Sequence, residues 1–359
     1  MAYTTIDDPA IYFNTKLFTG NGGTNAISGI GFQPDFCWFK NRTSAQSHAI
    51  VDSVRGRKGL QSNVTDTEYT LNSGKDFGTF DSDGFTVLTP EQLNSFNYNT
   101  GSIVAWNWKA GTAFTNDASA TGVGSIDSAG SFNNDSGFSI VSYTGTGSAG
   151  TIKHGLNSVP SMIIIKVLTN TANDWCVYHQ ATGNNQSTFL NGTNAVSSNA
   201  FMNNTTPTSS VFSVDGSNYS SGSSRNYIAY CFAEKQGYSK IGSYTGNGNA
   251  DGTFVYTGFK PAFIIFKNTD SGSTDWVLYD NKRDGFNSNN IALYPNASAG
   301  DDTGNDPDIL SNGFKQRATG SDRNGSGENI IYMAFAENPF VTSTGVPATA
   351  RWLCSYLLT

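Results

Sequence analysis

Apolar positions along this chain fall in runs of four to six, set between clusters of Gly, Asn, Asp, Ser and Thr. The runs Met162-Ile163-Ile164-Ile165 and Phe263-Ile264-Ile265-Phe266 are continuously apolar, which predicts strands buried on both faces in the middle of a sheet. Other runs alternate: in Tyr227-Ile228-Ala229-Tyr230-Cys231-Phe232, Ala229 and Cys231 face one way and Tyr230 and Phe232 the other. No segment holds a 3.6-residue apolar spacing for three turns. The pattern predicts an all-β chain.

The runs recur as a unit written three times. Each copy opens on an aromatic-Thr-Gly turn, at Phe18-Thr19-Gly20, Tyr143-Thr144-Gly145 and Tyr244-Thr245-Gly246. A proline follows at Pro34, Pro160 and Pro261, expected at a strand start where a missing N–H costs least, and six residues on stands Lys40, Lys166 or Lys267. Nine residues beyond Lys166 and Lys267 come Trp175 and Trp276, each preceded by Asp; copy one has His48 in that place. Later Gly turns occur at Asp83-Gly84-Phe85 and Asn312-Gly313-Phe314, with Val214-Asp215-Gly216 as a weaker match in copy two. The copies close on strands ending in Trp108, Phe232 and Phe335. Proline spacings of 126 (34 to 160) and 101 (160 to 261) agree with closing-strand spacings of 124 (108 to 232) and 103 (232 to 335). Two independent landmarks thus agree on the repeat, and the surplus of the first interval fits the stretch from Ala110 to Gly137.

A unit near 100 residues with short strands and Gly/Asn/Asp turns predicts an antiparallel β-sandwich, and the chain as a whole three tandem sandwiches of jelly-roll or concanavalin-like kind. The expected division is an N-terminal segment at 1–15 without a core of its own, sandwiches at 16–109, 138–236 and 237–340, and a tail at 341–359. Residues 110–137, rich in Gly, Ala, Ser and Asn, are expected to form a flexible linker. Pro34, Trp38, Pro160, Trp175, Phe232, Pro261, Trp276 and Phe335 are the expected core anchors of the repeat. For Trp175 and Trp276 a sugar-stacking platform is the sharper alternative, weakened by His48 in copy one.

Composition narrows the function. Charged residues are 14% of the 359 and aromatics 13%, the reverse of a disordered chain. A net charge of -7 gives no basic footprint, so no nucleic acid is expected as partner. There is no apolar run long enough for membrane insertion, and the first residues lack the pattern of a signal peptide. Cys37, Cys176, Cys231 and Cys354 are too sparse for a disulfide scaffold and read as reduced, buried thiols. His48, His154 and His179 are too scattered for a metal cluster.

The same residues carry no catalytic signature. The glutamates Glu68, Glu91, Glu234, Glu328 and Glu337 suggest no acid–base pair, and the two that follow closing strands read as surface charges. No nucleophile elbow, zinc helix or phosphate loop occurs. The acidic loops at 301–308 and 81–84 offer oxygen donors but lack EF-hand spacing and read as turns. No catalytic, cofactor or metal site is expected.

The opening Met1-Ala2-Tyr3-Thr4-Thr5-Ile6-Asp7-Asp8-Pro9, the stretches Gly31-Phe32-Gln33-Pro34 and Gly258-Phe259-Lys260-Pro261, and Asn338-Pro339-Phe340-Val341 leading to Pro347-Ala348-Thr349-Ala350-Arg351 resemble virion structural proteins of tailed bacteriophages, particularly marine ones. These are tail fibre-like proteins with lectin-like sandwich domains. The resemblance covers nearly the whole chain and implies a non-enzymatic virion component assembled in the host cytoplasm. It further implies a homotrimer that contacts other virion proteins through its N-terminal segment and host-surface glycan through exposed rings. A capsid decoration or tail scaffold protein that binds only virion proteins is the alternative, and a polysaccharide depolymerase ranks third. Residues 352–359 form an apolar extension that departs from the expected end.

Overall fold

The computed structural model of the chain describes residues 2–348, apart from 171, 286, 290, 305 and 306. The structure is all-β, and its strands group into three units of similar layout.

Unit one holds β1 (Phe13–Thr19), β2 (Asn25–Ser28), β3 (Phe36–Asn41), β4 (Ala49–Asp52), β5 (Lys58–Gly59), β6 (Tyr69–Thr70), β7 (Phe77–Asp81), β8 (Gly84–Val87) and β9 (Ser102–Trp108). Unit two holds β10 (Thr112–Asn116), β11 (Ser128–Asn133), β12 (Phe138–Thr144), β13 (Gly150–Lys153), β14 (Met162–Val167), β15 (Cys176–His179), β16 (Gln186–Phe189), β17 (Ser197–Ser198), β18 (Val211–Val214) and β19 (Asn226–Phe232). In unit three come β20 (Ser239–Thr245), β21 (Phe254–Tyr256), β22 (Phe259–Asn268), β23 (Trp276–Asp280), β24 (Ile291–Ala292), β25 (Asp302–Thr303), β26 (Pro307–Leu310), β27 (Gly313–Gln316) and β28 (Asn329–Pro339).

Every unit builds one larger antiparallel sheet in the same order: β1-β9-β3-β4, β12-β19-β14-β15 and β20-β28-β22-β23. A smaller sheet lies over one face of each, made by β2-β8-β7, β13-β18 and β21-β27-β26. The opposite faces of the three larger sheets meet one another. Trp106 and Trp108 from unit one, Tyr230 and Phe232 from unit two, and Met333 and Phe335 from unit three share a single central core. At its middle Trp108, Phe232 and Phe335 form a ring of three, with centroids 6.4, 6.0 and 5.5 Å apart. Each such ring buries roughly 150–250 Å², about 4–6 kcal/mol of apolar transfer at 25 cal/mol/Å². The units are therefore packed around an approximate threefold axis.

This arrangement accounts for the hydrophobic pattern. Strands β14 and β22 are sandwiched between the central core and an outer one, so both faces must be apolar. Thus Ile164 and Ile265 point to the centre, while Ile165 and Phe266 point under the small sheets. The closing strand β19 divides as its alternation predicts, with Tyr230 and Phe232 central and Ala229 and Cys231 outer. Cys37, Cys176 and Cys231 are free and buried; Cys354 lies outside the described residues.

Two expectations about the chain's ends and joints are corrected. Residues 110–137 are no flexible linker: β10 and β11 pair with each other and then with β12, extending the larger sheet of unit two. Their small side chains suit that role, since a Cβ at Gly130 would stand 2.0 Å from the Ile140 carbonyl oxygen. Strands poor in large apolar residues need no core of their own when they add to a sheet that already has one. The N-terminal segment is likewise docked. Ile6 is buried in the central core, the Thr4 hydroxyl donates to the Gln236 carbonyl at 2.7 Å, and residues 13–15 already belong to β1.

The repeated landmarks take matching places with local differences. Pro34 and Pro160 stand two residues before the first residues of β3 and β14, whereas Pro261 lies inside β22. There the pairing with β28 shifts register on both sides of the proline, which accommodates the missing N–H. The aromatic-Thr-Gly turns owe their glycine to close approach. A Cβ at Gly20, Gly145 or Gly246 would lie 2.0, 2.4 or 2.3 Å from the carbonyl oxygen of Tyr98, Gly222 or Gly325. The Gly216 turn is not the counterpart of Gly84 and Gly313. Pairing registers set Phe212 opposite Ile152, as Phe85 stands opposite Ile27 and Phe314 opposite Val255, so Val211 takes the glycine's place in unit two.

Candidate functional site: the seams between units and the outward aromatic face

The repeated polar residues lie at the seams and serve the fold. Lys40, Lys166 and Lys267 are fully buried, and each donates to a backbone carbonyl of another unit. Lys166 reaches Thr65 at 2.6 Å, Lys267 reaches Thr193 at 3.1 Å, and Lys40 reaches Ser298 at 2.9 Å. Unit two thus holds unit one, unit three holds unit two, and unit one holds unit three. Burial lowers all three ammonium groups to a pKa of about 8, and the carbonyls around them supply the acceptors that water would otherwise provide.

The anchors nine residues on repeat the same circuit. Trp175 donates from Nε1 to the Gln61 carbonyl at 3.0 Å, and Trp276 to the Phe189 carbonyl at 2.9 Å. His48 stands in for tryptophan, its Nε2 lying 3.0 Å from the Tyr294 carbonyl. Because Trp38 Nε1 donates to His48 Nδ1 at 2.9 Å, the ring proton sits on Nε2 and points across the seam. Burial holds this imidazole well below its usual pKa, in the neutral form that the two bonds require. Trp175 and Trp276 are 0% and 1% exposed, so neither ring presents a face to a sugar. The other anchors, Pro34, Trp38, Pro160, Phe232, Pro261 and Phe335, are buried as well.

An asparagine that sequence reading missed completes each anchor. Asn63, Asn191 and Asn296 accept the backbone N–H of His48, Trp175 and Trp276 through their side-chain oxygens. Their amides donate to Ser47, Asp174 and Asp275, which explains the Asp before each Trp. The spacing from anchor to asparagine varies (48 to 63, 175 to 191, 276 to 296), and that variation hid a repeat visible at every copy.

The glutamates and acidic loops are taken up locally. Glu234 and Glu337 pair with Lys240 and Lys260, both at 2.9 Å. Asp83 accepts the backbone N–H groups of Gly29 and Gly31, and Asp301 binds Arg42 and Arg283. No group of three or more potential metal-ligating side chains occurs among the described residues.

What the threefold pattern holds in common is thereby explained by packing, so a functional surface should appear where one unit departs from it. The edge strand of unit three's small sheet does so. Val255 points inward, and Phe254 and Tyr256 on either side of it are 45% and 53% exposed. Register places Ala26 and Ser28 at the same positions in unit one, and Thr151 and Lys153 in unit two. The fold therefore has no need of rings there. Tyr3 stands beside the pair, its hydroxyl 3.2 Å from that of Tyr256, and exposed Phe340 hydrogen-bonds through its N–H to Gly258. Lys315, Arg317 and Asp251 form a charged cluster on the neighbouring strand and loop.

A threefold ring of antiparallel sandwiches with an aromatic face on one unit is the class of molecule these features define. Residues 8–339 match the model of a family described as a domain of unknown function (DUF7483), and the chain belongs to that family. No curated protein matches the chain.

Proposed function

We propose that this protein is a non-enzymatic virion component of the tail fibre or appendage kind, and that it contributes to recognition of host-surface glycan. The observation that carries this reading is the exposed pair Phe254 and Tyr256, at positions where the other two units have small or polar side chains. Aromatic rings stack on the apolar faces of sugars, while nearby charged groups such as Lys315 and Asp251 bind their hydroxyls. The closed seams supply a rigid support, which limits the ordering cost of binding. The threefold arrangement within one chain suits the end of a threefold stalk, and a homotrimer would place one such ring on each strand of it.

The test is binding of the full chain to whole host cells and to immobilised host glycan, beside Tyr256→Ala and Phe254→Ala. Loss of binding by either variant at unchanged melting temperature supports glycan recognition. Binding to no host surface would favour the decoration or scaffold alternative. Release of oligosaccharide from host polysaccharide would overturn the non-enzymatic reading.

A further inference from the structure

Three equivalent seams join the units, and their chemistry differs at one matching point. In every seam a backbone N–H donates across to the strand end after the buried lysine: Glu68 to Leu168, Val196 to Thr269, and Asp301 to Arg42. The seam between units three and one is closed at this point by charge. Asp301 accepts from Arg42 at 2.7 Å and from Arg283 at 3.2 Å, so its carboxylate is matched by two guanidinium groups.

In the seam between units one and two the same positions leave an opening. Arg55 is the counterpart of Arg283, since each lies three residues beyond a strand-end aspartate and pairs with it at 2.6 Å. Glu68 stands where Asp301 does, and Leu168 replaces Arg42. A cleft of about 620 Å³ lies here, walled by Arg55, Lys58 and Glu68 of unit one and by β10, β11 and β12 of unit two, within the usual span of roughly 300–1,000 Å³ for small-molecule sites. Arg55, 4% exposed at its side chain, and Glu68 face each other in its wall. Arg55 Nη1 and Glu68 Oε2 form a loose ion pair at 3.6 Å, with Lys58 at 3.7 Å from the other Glu68 oxygen, but neither Nη1 nor Oε2 makes a hydrogen bond among the described residues. Buried polar atoms left this way cost stability unless something binds them.

We infer that this cleft is a second ligand site, and that its ligand is a neutral, hydroxyl-rich molecule of the saccharide class. A hydroxyl seated between Arg55 and Glu68 accepts from Nη1 and donates to Oε2, satisfying both with one group. Asp117 and Asp127 line the cleft as well, so an anion would meet three carboxylates; Arg55 and Lys58 would equally oppose a cation. A polyol finds acceptors and donors in both sets. Thr144, exposed at the mouth, and Asn226, bonded to it at 3.0 Å, offer further polar contacts. This site is distinct from the aromatic face of unit three and shares with it only the class of ligand.

The test applies a printed array of neutral, amino and acidic oligosaccharides to the intact chain, followed by calorimetry with the strongest neutral binder. Glu68→Gln removes one charged acceptor, and Thr144→Trp fills the mouth from an exposed position that leaves the core intact. Both are expected to weaken binding about tenfold or more, Thr144→Trp at unchanged melting temperature, while Tyr256→Ala leaves the cleft's affinity as it was. The inference is overturned if the array binds nothing, if only acidic oligosaccharides bind, or if Thr144→Trp binds as the parent does. Sensitivity to Tyr256→Ala alone would also overturn it and leave the aromatic face as the single site.

Discussion

The indole N–H of Trp175 donates to the carbonyl of Gln61 at 3.0 Å, and so an interior anchor of unit two also fastens a loop of unit one. Its counterpart Trp276 does the same for Phe189 of unit two. Trp276→Ala should cost about 3–5 kcal/mol through lost packing. Trp276→Phe, which keeps most of the ring and loses the bond, should cost about 1–3 kcal/mol with the Phe189 carbonyl left unpaired. Chemical denaturation reads both, and wild-type stability for the alanine variant would refute the anchor role.

A second expectation concerns cooperativity. The inner faces of all three larger sheets share one core, so no unit can leave without exposing the rings of Trp108, Phe232 and Phe335. Calorimetry should show one transition with equal calorimetric and van't Hoff enthalpies. A fragment of residues 110–236, which keeps every strand of unit two, should when made alone lack near-UV dichroism and bind a hydrophobic dye. Three separable transitions would contradict the shared core.

The pair Trp38 and His48 invites a double-mutant cycle. Where unit one has Trp38 and His48, unit two has Ile164 and Trp175, and unit three Ile265 and Trp276. His48→Trp alone overfills the site and takes away the acceptor of the Trp38 indole, a loss of about 1–3 kcal/mol. Adding Trp38→Ile copies the arrangement of the other units and should recover most of it. Simple additivity of the two changes would show that the residues are not coupled.

Acid should destabilise the fold through its histidines. Burial lowers His154 and His179 to a pKa of about 4, and His48 well below its ordinary value. As pH falls below 6.5 the unfolded chain takes up protons that the folded chain refuses, so stability declines toward pH 4. Each histidine contributes a slope of about 1.4 kcal/mol per pH unit in that window. His179→Gln should flatten the profile by one such share. An unchanged slope in that variant would rule out its part.

Strand runs and the repeat could be read in the letters because packing on two faces demands continuous apolar residues, as in Met162 to Ile165. The matching of His48 to Trp175 and Trp276 was also legible, and it marked positions of equal duty despite unequal chemistry. The closure of the units was not legible. A residue such as Phe335 looks the same in the strand whether it faces its own sandwich or two neighbours. The strands within 110–137 escaped notice for a related reason: Ala, Ser and Gly there add to a sheet whose apolar surface lies elsewhere in the chain. The aromatic pair of β21 could be located by eye but not judged, because its meaning rests on which positions of β2 and β13 correspond to it.

Asp7 receives both the backbone N–H and the hydroxyl of Ser343, at 2.7 and 2.6 Å, so one stretch of the chain is clasped by another synthesised 336 residues later. Lys40 closes on Ser298 across a comparable stretch. During translation the opening sandwich must wait, with its inner face uncovered, until the third has emerged. A molecule built this way has an order of synthesis but no geometrical beginning, and joining Asp7 directly to the Ser343 segment while opening the chain at another exposed turn should leave the ring whole.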